Sequence, residues 1–451
     1  MGTNLNKEIL RLAAPAILNN ITVPLLGLCD TAIAGHLGSA SYLGAISVGA
    51  MMLNVFFWLS GFLRMGTTGL TAQSLGRKRE DECREVLKKS LMLAFAISIL
   101  VILFRGPLLK LFLYFIQPDK EISELATLYF NIGIWGVPAQ LGVMAVSGWF
   151  IGLQTTVVPM TIAISTNIIN ICTSILLAFV FKKGFRGIIY GTLLANWLGA
   201  IIAFVWGWKR YRLLIKHESD HCDEREGDAS GDSIRKGIRW SDLFSVNSAL
   251  FIRSACIMGV TMTVTAIGAR LGETTLAANA VIMQFFMFFS YFMDGFAFSG
   301  EALTGKYIGE SNGQMVLATA GKLCWWGVMM ALFFFIFYSV AGNEVVSLLT
   351  NEREVVAEVE RYKLWIILLP PVTVSAFIFD GIFVGLTRTQ AMMGVTLAGA
   401  AIFFITLFGT GIRMNNQLLW ASFESYLLVR GASLGVIFVT RIRKKVIKLS
   451  K

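Results

Sequence analysis

The chain is 451 residues long, 55% of them hydrophobic and only 15% charged, with a mean hydropathy of +0.67. Soluble domains sit nearer about 45–50% apolar and about 25% charged, so this composition excludes an ordinary soluble protein. The formal net charge of +11 raises nucleic acid as a partner, but the basic residues gather in short polar stretches between apolar runs, and that distribution argues for no nucleic acid.

Apolar runs of about 18 residues or more recur along the whole chain, each long enough to cross a bilayer. Twelve are predicted, at approximately 9–34, 42–75, 90–116, 122–151, 156–181, 186–212, 241–269, 276–309, 315–341, 355–385, 390–412 and 416–441. Lipid offers backbone groups no water, so these are helices; a barrel would show short alternating strands. The expected fold class is all-α integral membrane, with twelve transmembrane helices in two pseudo-symmetric six-helix bundles. The bundles are 1–212 and 241–451, joined by a polar cytoplasmic linker at 213–240. No cleavable signal peptide is expected, because the first run carries Pro15, Pro24 and Asp30 and lacks a small-x-small site after a short apolar core.

Basic residues mark one side of the membrane. Arg77, Lys78, Arg79, Arg84, Lys88 and Lys89 share one loop, Lys209 to Arg239 another, and Arg441 to Lys451 the tail. With an even number of spans these lie on the side of Lys7 and Arg11, so both termini are expected to be cytoplasmic in a multi-pass protein of the bacterial inner membrane. The short loop with Lys182, Lys183 and Arg186 departs from the pattern. Six cysteines are dispersed without a C-x-x-C pair and suggest no disulfide frame. His217, His221 and Cys222 sit together in the linker; a solvated segment is the plainer reading, a metal site the sharper one.

The halves repeat each other. Gly61-Phe62-Leu63-Arg64-Met65-Gly66 returns as Gly295-Phe296-Ala297-Phe298-Ser299-Gly300, an offset of 234, and Leu37-Gly38 returns as Leu271-Gly272. At an offset of 233, Gly148-Trp149-Phe150-Ile151-Gly152 returns as Gly381-Ile382-Phe383-Val384-Gly385, and Pro138 as Pro371. An apolar chain with a duplication of this kind is expected to be a secondary transporter, its halves parallel and its cavity between them.

A charge in the bilayer costs at least about 2.5–3.5 kcal/mol, so each intramembrane charge needs a reason. The acids are Asp30, Asp294, Glu301, Asp380 and Glu424; the bases are Arg64, Arg253, Lys306 and Arg430, with Arg388 nearer an end. Asp30 has Leu26, Gly27, Ile33 and Ala34 at its helical neighbours, none of them basic. A carboxyl so placed can load and release a proton, which makes it the candidate coupling residue; a structural carboxylate paired with another helix is the alternative. Its repeat counterpart is Val264. Arg253, Asp294, Glu301 and Asp380 form a second candidate cluster, either a cation or substrate site or a structural ion-pair network; the counterparts of the first three are Asn19, Ser60 and Thr67. Met283 and Met287, among neighbouring phenylalanines, are candidate lining of an apolar cavity or plain lipid and helix contacts.

These residues carry a resemblance to the multidrug and toxic compound extrusion (MATE) family, and within it to the DinF-like branch. Its carriers are Asp30-Thr31-Ala32-Ile33-Ala34-Gly35-His36-Leu37-Gly38, Phe62 to Gln73, Gly268 to Gly272 with Ala277 to Ala280, Asp294 to Ala297 with Glu301-Ala302, and Asp380 to Arg388. The resemblance implies alternating access and export of cationic or amphipathic compounds in exchange for H⁺ or Na⁺, without another cofactor. The carboxylate that family members protonate matches Asp30. Many members carry an Asp four residues after the Asn that matches Asn170; here that residue is Ser174, so Asp30 would act with Asn170 and Arg64 as first-half support. The NorM-like branch uses second-half carboxylates for Na⁺; the resemblance offers Asp380 as the counterpart of one of them, although the motif around it is of the DinF-like type.

Two alternatives stay open, a Na⁺-coupled exporter and a flippase for a lipid-linked precursor. An enzyme is not expected, because H-E-x-x-H, P-loop and G-x-S-x-G motifs are missing and His36 is the one histidine near the membrane. The expected partners are small-molecule drugs and membrane lipid, and the expected state is a monomer.

Overall fold

A computed structural model describes residues 4–36, 40–223, 237–409, 411 and 414–448, and every regular element among them is helical. The first sequence half supplies α1 (Leu5–Gly35), α2 (Ala40–Leu59), α3 (Gly61–Gly76), α4 (Glu80–Leu103), α5 (Arg105–Ile116), α6 (Lys120–Gly133), α7 (Val137–Gly152), α8 (Val157–Ile175) and α9 (Phe185–Asp223). The second supplies α10 (Trp240–Leu271), α11 (Glu273–Gly309), α12 (Gly313–Leu349), α13 (Arg353–Arg361), α14 (Lys363–Gly385), α15 (Thr389–Gly409), α16 (Asn416–Ile437) and α17 (Arg443–Lys448).

Eleven helical segments among the described residues are long and apolar enough to cross a membrane. α1, with 31 residues and thus about 46 Å of helix, brings the spans to the expected twelve. The offset of 234 carries α1 onto α10, α2–α3 onto α11, α4–α5 onto α12, α6–α7 onto α13–α14, α8 onto α15 and α9 onto α16–α17. Four expected spans prove to be broken. The run at 42–75 is α2 and α3, separated at Ser60; the run at 90–116 is α4 and α5, separated at Phe104; the run at 122–151 is α6 and α7, joined by a 3-10 turn at Ile134–Gly136; and the run at 355–385 is α13 and α14, separated at Tyr362. α4 also starts ten residues earlier than expected, since Glu80, Asp81 and Glu82 favour a helix N-terminus.

The helices form two compact units. One holds residues 18–243, the other residues 1–17 and 244–451. In the first, α3 packs on α7 and α8 on α9; in the second, α11 packs on α14 and α15 on α16. The repeated glycines explain these seams. A Cβ on Gly148 would lie 2.3 Å from the carbonyl oxygen of Arg64, and one on Gly381 would lie 2.3 Å from that of Ala297. Gly152 and Gly385 meet Thr68 and Glu301 carbonyls in the same way, at 2.8 and 2.7 Å. The repeated G-x-x-x-G is thus a helix-packing motif, allowing backbone approach that lipid-embedded helices use in place of a hydrophobic drive. Gly272, in the repeated Leu-Gly pair, turns the chain between α10 and α11 at φ +122, which glycine adopts at little cost.

Each unit has its own core. Trp149 is fully buried in the first, among Cys83, Leu87, Val146 and Ile162, and its indole donates to the Cys83 carbonyl at 2.8 Å. In the second, Phe285 and Phe289 of α11 stack edge-on against Tyr338 and Phe334 of α12.

Candidate functional site

The first seventeen residues belong to the second unit. Tyr307 donates to the Glu8 carboxylate at 2.8 Å, and Ser299 to the Ile9 carbonyl at 3.0 Å. Further along α1, Asn167 of α8 donates to the Thr22 carbonyl at 3.2 Å within the first unit. Asp30 lies in the last turns of α1; its side chain is outside the described residues. The same holds for the side chains of His217, His221 and Cys222, which α9 reaches by continuing as helix to Asp223.

Asn170 is buried on α8 and accepts from Ser174 at 3.4 Å, so the serine at the position where many family members hold an acid engages the asparagine. Next to it, Gly191 of α9 lets the helices close on Ser174. Arg64 is half-buried on α3, and its backbone faces Gly148.

The strongest assembly of charge lies in the second unit. Asp380 on α14 takes both Arg253 of α10 and Arg430 of α16 on one oxygen, Oδ2. All three side chains are less than about a tenth exposed. Glycines set the geometry: Asp380 precedes Gly381, locked on α11, and Arg430 precedes Gly431, whose Cβ would lie 2.6 Å from the Ala376 nitrogen of α14. The charges are therefore carried on the tightest backbone contacts of the unit. Asp380 Oδ1 is buried without a hydrogen-bond partner among the described residues.

Of the expected cluster, the structure joins Arg253 to Asp380. It adds Arg430, whose signal in the sequence was its place before a glycine in an apolar helix. Asp294 is half-buried and Glu301 fully buried, seven residues apart on α11. Met283 and Met287 are half-buried on the same helix. Among the described residues no group of three or more His, Cys, Asp or Glu is arranged to hold a metal ion.

A duplicated helical membrane protein with glycine-locked seams and buried charge has the make-up of a transporter. The MatE family model matches this chain twice, over residues 15–176 and 249–408, one match in each half. DNA damage-inducible protein F of Escherichia coli K12 is 33% identical over 441 residues, 97% of this chain and 92% of its own length. A probable multidrug resistance protein NorM of Xanthomonas axonopodis is 25% identical over 320 residues, 68% of this chain and 66% of its own. A MATE protein crystallised in a bent conformation superposes with a TM-score of 0.83 at 16% identity, covering 99% of this chain and 97% of that one. An outward-facing MATE family transporter does so at 0.77, with the same coverage. The chain belongs to the MatE family of membrane transporters.

Proposed function

We propose that this protein is a secondary active multidrug efflux antiporter of the bacterial inner membrane, exporting cationic or amphipathic compounds in exchange for protons. The two sequence halves, 1–212 and 241–451 with the 213–240 linker between them, supply the parts that alternate, residues 1–17 going with the second half, and both termini face the cytoplasm. The family and its multidrug resistance members support export. The choice of ion rests on one observation. Asp380, the second-half carboxylate in the place where a Na⁺ ligand would be sought, already serves two guanidinium groups. Two fixed cations beside it oppose a third, so a sodium site there is disfavoured. Asp30, with no basic residue within a helical turn, is left as the group that loads the proton.

The test is transport in proteoliposomes with imposed H⁺ and Na⁺ gradients applied separately. Efflux of a cationic dye is expected to follow the pH gradient and to be lost in Asp30→Asn at unchanged protein level and thermal stability. Efflux that ignores the pH gradient and follows Na⁺ would reverse the assignment of the ion. Retained pH-driven efflux in Asp30→Asn would remove that residue from the mechanism.

A further inference from the structure

Glu424 is a buried acid that the Asp380 centre does not use. It lies on α16, only 5% exposed, between the buried Trp420 and Leu427. Among the described residues its Oε1 has no hydrogen-bond partner. A carboxylate in such a place would be both desolvated and unpaired, so the stable form is the protonated acid, which needs an acceptor for its O–H.

The neighbouring helix supplies acceptors. α14 contains Pro370 and Pro371 inside its helical run. Proline has no N–H, so the carbonyls four residues earlier, on Ile366 and Ile367, lose their helical donors. α14 and α16 pack in one direction, with Gly431 against Ser375 and Ala376 and Gly435 against Phe379. That register sets Glu424 level with Leu368 and Leu369, one residue from the two freed carbonyls. An acid with a spare hydrogen and a helix turn with spare acceptors therefore stand at one level of the same seam.

We propose that Glu424 is a second proton-binding site, carried by the second unit and separate from both Asp30 and the Asp380 centre. Protonated, its O–H closes onto the proline turn of α14. When the seam loosens, the proton leaves to water and the carboxylate is hydrated. The proposal deepens the proton-coupled reading above and rests on it for its role in transport, though not for proton binding itself.

The other titratable groups around this seam are few. α15 has none. α14 has Lys363 at its start and Asp380, which is held by its two arginines. α16 itself adds Tyr426 and Arg430. α11 meets α16 through Asn279 and Phe286, away from its own acids Glu273, Asp294 and Glu301 and from Tyr291, Lys306 and Tyr307.

Infrared difference spectroscopy of the full-length protein in lipid, titrated with alkali, reads the protonated carboxyl directly. The expected result is a protonated-acid band that disappears as pH rises, survives in Asp30→Asn, and is lost in Glu424→Gln. Glu424→Asp keeps a titrating band at a shifted frequency, which guards against a Gln variant that folds poorly. In proteoliposomes, Glu424→Gln is expected to lose most of the pH-driven part of dye efflux. A spectrum unchanged by Glu424→Gln, or a Glu424 band that never titrates, overturns the proposal and leaves the Asp30 reading intact. A Glu424 band that titrates while Asp30→Asn transports normally keeps this site and sinks the Asp30 reading.

Discussion

The α3–α7 seam of the first unit and the α11–α14 seam of the second share their packing but not their chemistry. Both close on a G-x-x-x-G pair that brings a helix backbone within van der Waals contact of its neighbour. Yet α2 and α3 are separated at Ser60, whereas α11 runs unbroken through the matching Asp294. Beside the second seam stands the Arg253–Asp380–Arg430 centre; beside the first, the matching helix α7 carries no charge. Backbone contact tolerates only glycine, so duplication preserves it. A charge needs only a partner, so it is free to diverge once one half has supplied it.

The largest expected effect tests the shared part. Gly148→Ala and Gly381→Ala should each cost about 3 kcal/mol or more, because the new methyl meets a backbone oxygen that cannot yield. Gly142→Ala on α7 and Gly394→Ala on α15 meet nothing within 4 Å and should be neutral. Thermal unfolding of the four variants in detergent checks this. A mild Gly381→Ala beside a severe Gly148→Ala would show that the two seams are not equivalent.

The next effect tests the divergent part. Asp380→Asn leaves two buried guanidinium groups without their anion and should cost about 3–5 kcal/mol. Arg253→Met or Arg430→Met leaves the acid one partner and should each cost about 1–3 kcal/mol. Ser147→Ala, in the matching place of the first half, should stay within about 0.5 kcal/mol. A double-mutant cycle on Asp380 and Arg430 reads the coupling, and additive losses would deny that the pair acts as one centre.

Much of this was legible in the sequence. Span count, the repeat and the glycine motif follow from hydropathy and spacing, because lipid forces apolar helices and helix contact forces small residues. The breaks at Phe104 and Tyr362 carried a signal that the length of each apolar run masked: Arg105-Gly106-Pro107 follows the first, and Glu358, Glu360, Arg361 and Lys363 flank the second. Arg253 was foreseeable as the base of a charged cluster with Asp294, Glu301 or Asp380 as its acid, but Arg430 is 50 residues from Asp380 on another helix, and only packing reveals that both arginines reach the same oxygen. Asp294 and Glu301 share a helix face with each other, which spacing showed; their relation to Asp380 depends on tertiary structure that spacing does not encode.

The smallest effect concerns a feature of the first unit that the second lacks. Glu85 and Lys89, one turn apart on α4, are paired at 2.7 Å and grip the end of the connector before α10. Glu85 accepts from the Ile238 N–H at 3.1 Å, Lys89 donates to the Ile238 carbonyl, and the Lys89 ammonium lies 5.3 Å from the centre of the Trp240 ring. The backbone of one residue is thus held at both its N–H and its carbonyl, and Gly237 leaves room for the Glu85 carboxylate, which a Cβ would crowd at 2.6 Å. The matching residues of α12 are Thr319 and Leu323, which cannot form such a grip. From composition, Lys89 was one basic residue among several marking the cytoplasmic side. Its geometry gives it a specific partner. Both side chains are partly solvated, so Lys89→Met should cost only about 1 kcal/mol, while Lys88→Met costs nothing measurable. Limited trypsin digestion offers a local readout, since Arg239 lies inside the gripped segment. Cleavage after Arg239 should quicken in Lys89→Met and not in Lys88→Met. Equal rates in the two variants would reduce Lys89 to its charge, and would leave the connector tied to the first unit by chain continuity alone.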